Sequence, residues 1–126
     1  TEDTATEVIE TWLSSKAQAM GETHQVEPLA EILVDPVLSR WQKRAEVAKK
    51  NNSYSQYDHA VAVKSVKTSK ENPDEARVEA EVNETAQFYQ NGVLRKSGSY
   101  DSKLKVRYDL VRQDNQWRIK NMKVLK

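Results

Sequence analysis

The sequence contains no cysteine, which removes disulfides and thiolate metal ligands together. That absence is compatible with any redox compartment and locates nothing. Glycine is scarce, confined to Gly21, Gly92 and Gly98, so no glycine-rich loop cradles a phosphate. No serine sits in a nucleophile elbow. The two histidines, His24 and His59, stand apart and give no zinc-binding set. The longest apolar run is Ala60 to Val63, whereas a bilayer-spanning helix needs about 20 apolar residues. Nothing in this stretch inserts into a membrane, and no signal peptide is visible. Excess charge is missing too: 20 Lys and Arg against 19 Asp and Glu leave a formal charge of +1. A nucleic-acid partner needs a net basic footprint, so none is expected. No pattern calls for a cofactor.

What is present is patterning. The 126 residues suit one domain with one core, so residues 1–126 are expected to form a single unit. The chain starts at Thr1 without methionine, as expected of a piece excised or processed from a longer parent.

Val8, Ile9, Trp12, Leu13, Ala17 and Met20 recur at helical spacing and predict a helix over 5–20. Gly21 is its expected stop, in the left-handed conformation. A short helix is predicted over 26–33, with Pro28 in its first turn. Asp35 and Pro36 then read as N-cap and first position of a third helix. Its stripe is Val37, Leu38, Trp41, Ala45 and Ala48.

From Tyr54 the period changes to two. Tyr57, His59, Val61 and Val63 share a face of the first strand, and Val66 falls out of phase, which predicts a bulge near Lys64 and Ser65. Asn72-Pro73-Asp74 is a turn. A second strand, with Val78, Ala80 and Val82 on one face, continues to Tyr89. Asn91-Gly92 is a tight turn, and residues 93–99 are read as a loop or short edge strand. A long strand follows with Leu104, Val106, Tyr108 and Leu110 inward and Lys103, Lys105, Arg107 and Asp109 outward. Asp114-Asn115 turns into a last strand with Trp117, Ile119 and Val124 inward. Short turns make these strands antiparallel. The expected fold class is therefore α+β: N-terminal helices packed on a curved antiparallel sheet of about four long strands.

His59 with Tyr57 suggests acid–base chemistry in a cavity, but the neighbouring Asp58 points to the opposite face of the strand. A packed or rim histidine is the reading adopted, and no catalytic residue is assigned. His24 belongs to a loop between helices and reads as a cap. Glu79 and Glu81 face a neighbour bearing Lys105 and Arg107, which reads as cross-strand ion pairing on a solvated face. Tyr54, Tyr57, Phe88, Tyr89 and Tyr100 cluster at strand ends. Tyrosine combines apolar area with a hydroxyl at low entropy cost, which suits a protein interface. Trp12, Trp41 and Trp117 fall on buried stripes and read as core.

Beyond these patterns, the order of Trp12-Leu13, Lys16-Ala17, Leu29, Ile32-Leu33, Pro36, Leu38 and Trp41 resembles a known family. The match continues through Ala45, Ala48, Tyr57, Val66 and Ala76 to Val82 with Glu84. It closes with Tyr100, Val106-Arg107-Tyr108, Leu110, Trp117, Ile119 and Val124-Leu125. Together these resemble the C-terminal, IMS-type domain of the cyanobacterial ZipN and plastid accumulation-and-replication-of-chloroplasts division proteins, over nearly the whole chain. The resemblance implies a cone-shaped fold like nuclear transport factor two, in a parent whose other end holds the FtsZ ring. In the plant proteins the domain lies between the envelope membranes and captures the C-terminal tail of an outer-envelope division protein. A cyanobacterial version would face the periplasm, on a membrane-anchored parent, or the cytoplasm if the parent lacks a span.

The expected function is then non-catalytic: a partner protein or peptide tail docks in the mouth of the cone. Tyr54, Tyr57, His59, Phe88, Tyr89 and Tyr100 are the candidate contact residues, and Lys105 or Arg107 the candidate holders of a carboxylate. Two alternatives stay open at this point. The same cone hosts isomerases and dehydratases, and the sheet face could serve self-association. A closed apolar pocket holding His59 and a tyrosine would favour an enzyme, and an open groove would favour binding.

Overall fold

The computed structural model describes residues 1–68 and 70–125. Three helices precede four strands: α1 (Glu2–Ala19), α2 (Leu29–Ile32), α3 (Val37–Lys50), then β1 (Ser53–Thr68), β2 (Glu75–Gln90), β3 (Val93–Gln113) and β4 (Gln116–Leu125). The strands form one antiparallel sheet in the order β1-β2-β3-β4.

Thr1 caps α1 by accepting the Thr4 N–H at 3.2 Å, and Glu2 and Asp3 sit at the positive end of its dipole. Its far end differs from expectation. The helix closes at Met20 with φ −96°, and the left-handed residue is His24 (φ 48°), not Gly21. Gly21 is needed for space instead, because a Cβ there would lie 2.6 Å from the Ala17 carbonyl oxygen. The His24 ring then caps the helix, Nδ1 lying 3.1 Å from the Ala19 carbonyl oxygen. The second helix is only Leu29–Ile32, directly after Pro28, shorter than the apolar pattern predicts. The N-cap of α3 falls on Pro36, one residue later than expected, with Val37 the first helical residue, while Asp35 just before it accepts the Ser39 N–H at 3.0 Å and its hydroxyl at 2.6 Å.

β1, β2 and β3 run for 16, 16 and 21 residues, far longer than common strands of about 5–6 residues. Strands that long must bend, and bulges bend them. The register slips at Val63/Ser65 in β1, as the phase of Val66 predicts, at residues 96–99 of β3 across from Gln87 of β2, and at Lys120 of β4 across from Asp109/Leu110 of β3. Residues 93–99 are not a loop but the first part of β3, with Val93, Leu94 and Arg95 opposite Gln90, Tyr89 and Phe88. The slip hides this in the sequence, because it breaks the alternation between Arg95 and Tyr100. Gly92 (φ 79°) and Asn91 (φ 52°) make the turn that feeds the strand.

The sheet curls so that one face receives the helices. Ile9, Trp12, Leu29, Leu33, Val37, Val78, Tyr108 and Ile119 are among the residues it buries. Complete burial of each large aliphatic contributes on the order of 1.5–3 kcal/mol. Two tryptophans correct the sequence reading. Trp12 is fully buried, but Trp41 and Trp117 are half-buried, packed on the core with an edge in solvent. Val124, expected inward, is 57% exposed. It does share the inward face with its partner Val106, but lies at the open end, where no helix covers it.

Candidate functional site

The inward positions of β2 run Val78, Ala80, Val82, Glu84, Ala86. One charge interrupts the apolar series, and it is only 3% exposed. A carboxylate is buried this deeply only when it is paired, and Glu84 has three partners. Lys16 Nζ lies 2.7 Å from Oε2 and His59 Nε2 2.8 Å from the same oxygen. The Tyr100 hydroxyl donates to Oε1. The register explains the convergence: His59 and Ser102 flank Glu84 on β1 and β3, and Tyr57 and Tyr100 flank Ala86 one step further along the same face. Lys16 arrives from α1, one turn beyond Trp12 and Leu13 on the stripe that packs against the sheet.

Aromatic rings enclose the ammonium. Lys16 Nζ is 4.7 Å from the Tyr57 ring centroid and 5.3 Å from that of Trp41. Tyr57 stacks on His59 at 5.3 Å, Trp12 meets Trp41 edge-on at 4.9 Å, and Arg44 covers Trp41 at 4.6 Å. Beside this cluster opens a cleft of about 230 Å³ between α1, α3 and the sheet, floored by Leu104, Val106 and Met122. Its walls carry Lys16, Arg40 and Arg44 against the single carboxylate of Glu84, with Lys123 of β4 at its edge. Arg40, Arg44 and Lys123 are exposed on its rim.

The titration behaviour follows from this geometry. Burial pushes the Glu84 carboxyl up, but hydrogen bonds from His59, Lys16 and Tyr100, with the Lys16 charge, outweigh it and hold the pKa down to about 2. Burial lowers the Lys16 ammonium, against the opposing pull of Glu84. Burial raises the Tyr57, Tyr100 and Tyr108 phenols, and the Glu84 charge raises each further. A carboxylate so stabilised, with three donors on its two oxygens, is a weak base, and phenols so raised are weak acids. The arrangement fixes a charge and an aromatic surface at the mouth of the cone.

The candidate contact residues divide by face. Tyr57, His59 and Tyr100 gather around Glu84, and Phe88 shares their side of β2, its ring against Gly98. Tyr54 and Tyr89 stack on one another at 4.8 Å, but strand alternation sets them on the outer face. Lys105 and Arg107 also lie outside, opposite Glu81 and Glu79 in the register, but the expected ion pairs do not form there: Glu81 meets Lys64 of β1 instead, at 3.8 Å. Lys105 and Arg107 therefore do not enter the mouth, and the cations that do are Lys16, Arg40 and Arg44, since Lys123, though at the cleft's edge, lies directly opposite Arg107 on the outer face. Sequence reasoning passed over Lys16 and Glu84 as site residues. The signal was a charge at an inward position: Glu84 in a period-two series and Lys16 on an apolar helical stripe.

Helices seated in a curled four-stranded sheet, around an open charged mouth, define a cone-shaped α+β domain of the nuclear-transport-factor-two-like class. The ARC6-like, IMS domain family matches residues 5–120, and the chain belongs to that family. The intermembrane space region of chloroplast protein ARC6 superposes with a TM-score of 0.89 at 25% identity, over 99% of this chain and 96% of that one. Two further likenesses show the fold alone. The Kfla4162 protein from Kribbella flavida matches with a TM-score of 0.65 at 16% identity, covering 98% and 90% of the two chains. The protein Rd1NTF2_05 matches with a TM-score of 0.57 at 16% identity, covering 97% and 96%.

Proposed function

We infer that this domain is a non-catalytic capture module of a cell or plastid division protein, whose cone mouth receives an extended tail of a partner protein. The observation that carries the reading is the mouth itself: an open apolar floor flanked by Arg40 and Arg44, with its one carboxylate already matched by Lys16 and His59. Such a site suits a chain carrying apolar residues and a carboxylate, which arginine holds with directional, charge-assisted bonds. Tyr57 and Tyr100 supply amphipathic contact area, and Phe88 extends it toward the hairpin. Family membership supports the division role, and the ARC6 likeness supports a position in an intermembrane space or on the periplasmic side of the inner membrane. In that setting, capture of a partner couples the division ring to the envelope.

Two faces of one strand pair provide the test. In the full-length parent, Tyr57→Ala and a double change of Arg40→Glu with Arg44→Glu should impair division and partner recovery. Tyr89→Ala, on the opposite face, should leave both intact. Normal division with the mouth altered rejects the reading.

A further inference from the structure

The outward face of β3 and β4 carries charge of mainly one sign. Lys103, Lys105 and Arg107 alternate along β3, and Lys123 of β4 stands directly opposite Arg107. The three lysines are exposed and Arg107 is half-buried. Residues directly opposite in an antiparallel pair share a face, and like charges there repel. Two acids stand within reach in the register, Glu79 opposite Arg107 and Glu81 opposite Lys105. Neither neutralises its neighbour. Among the described residues none of these four cations makes an ion pair, and Glu81 meets Lys64 on its other side at 3.8 Å.

The patch has definite limits. Toward the closed end it stops at the ion pair of Arg77 with Asp109, 3.0 Å long. Toward the open end it stops at Asp58 and Asp101, which flank Thr85. Between those limits Lys64, Lys103, Lys105, Arg107 and Lys123 face only Glu79 and Glu81. The face is therefore net positive on a chain whose formal charge is only +1.

Its neutral members are as informative. They are Ala60, Ala62, Asn83 and Leu125, with no aromatic residue among them. Interfaces between proteins are anchored by aromatic and arginine side chains and are depleted of lysine. A lipid surface asks for less. Anionic headgroups attract each cation that comes within a Debye length, with no need of a pocket. Lysine suits that task, as a compact charge on a flexible stem.

We propose that the outward face of β3 and β4 rests on an anionic lipid surface, held by charge alone and without insertion. The inference rests on the membrane-side position proposed above and not on what the mouth binds. The helices occupy the other face of the sheet. A domain adsorbed in this way turns its cleft away from the lipid, where a partner tail can reach it.

The test is sedimentation of this chain with phosphatidylcholine vesicles, with and without phosphatidylglycerol. The chain should sediment with the anionic vesicles, stay in solution with the neutral ones, and be released as salt is raised. Lys105→Gln combined with Lys123→Gln should lower the partition about tenfold or more. Lys43→Gln combined with Lys49→Gln removes the same net charge from exposed positions of α3, and should lower it by no more than about twofold. Sedimentation with neither vesicle, or equally with both, overturns the proposal. Equal losses in the two double variants would mean that net charge decides and this face does not. A chain that ignores vesicles but binds polyglutamate through Lys105 and Lys123 would hold an acidic protein there, and the lipid assignment would be wrong. Adsorption that depends on Arg40 and Arg44 in place of Lys105 and Lys123 would move the site to the mouth and reject this face. Failure of adsorption leaves the capture reading standing, because that reading is judged by partner recovery and division.

Discussion

The inward face of β2 passes from Val78, Ala80 and Val82 to Glu84 within one strand, and with it the molecule passes from a closed end to an open one. At the closed end Ile9, Leu29, Leu33 and Ile119 are wholly or almost wholly buried, and contact is apolar on every side. At the open end the same strand register carries Glu84, His59, Tyr57 and Tyr100, and a lysine replaces an aliphatic residue on the helix stripe. The two ends are held by different forces. Dry packing holds the closed end and depends little on pH or salt. The open end relies on a buried ion pair, which must first recover the desolvation of both charges.

The sharpest way to break this comparison is to weaken each end in turn. Trp12 is 2% exposed and bridges the two ends, edge-on to Trp41 and packed on the core. Trp12→Ala leaves a cavity that the surrounding helices and sheet cannot fully close, and should cost roughly 3–5 kcal/mol in urea unfolding. The loss should be nearly the same at pH 7 and pH 5. A loss below about 1 kcal/mol would mean that the helix layer is not the main support of the cone.

Glu84→Gln should cost less, about 2–3 kcal/mol, because the amide can still accept a bond from Lys16 but leaves its ammonium without a counter-charge. Its signature is the pH dependence. The folded pKa of about 2 lies below the ordinary 4.5, so the unfolded chain binds more protons through that interval. Stability from this group is therefore fully present above about pH 4.5 and lost as pH falls toward 2, a change on the order of 3 kcal/mol. Urea midpoints for wild type and Glu84→Gln should run parallel above pH 5 and converge below it. Parallel curves down to pH 2.5 would show that Glu84 is not held ionised by its partners.

How much of this was legible beforehand depends on which end is considered. The closed end follows from periodicity, since Val8, Ile9, Trp12 and Leu13 repeat at helical spacing and Leu104 to Leu110 alternate. Even the bulge after Val63 shows as a phase error at Val66. The open end was harder, for a physical reason. Its contacts join residues as far apart as Lys16 and Glu84, and linear spacing does not report a distance across the fold. Face assignment could have excluded Lys105 and Arg107 from the mouth, because they alternate with the inward Leu104, Val106 and Tyr108. The start of β3 was lost for another reason: residues 96–99 stand out of the ladder, and a bulge of that length erases the period-two signal on both sides.

That bulge supplies the smallest of the expected effects and a check on whether the open end is built or merely frayed. Gly98 adopts φ 98°, a conformation that L side chains rarely take, and a Cβ added there would lie 2.9 Å from Cδ2 of the Phe88 ring. Gly98→Ala therefore meets backbone strain and a clash together, with a cost of about 1–2 kcal/mol. The ring is a side chain and can swing aside, which limits the second part. If the bulge is a fixed device that seats Phe88, the variant should also raise the exchange rates of amides in 93–95, opposite 88–90, while those opposite Val78 to Val82 keep wild-type protection. A destabilisation spread evenly over the sheet would instead mean that the two ends unfold as one unit, and that the division between a packed base and an electrostatically held mouth does not extend to their local stability.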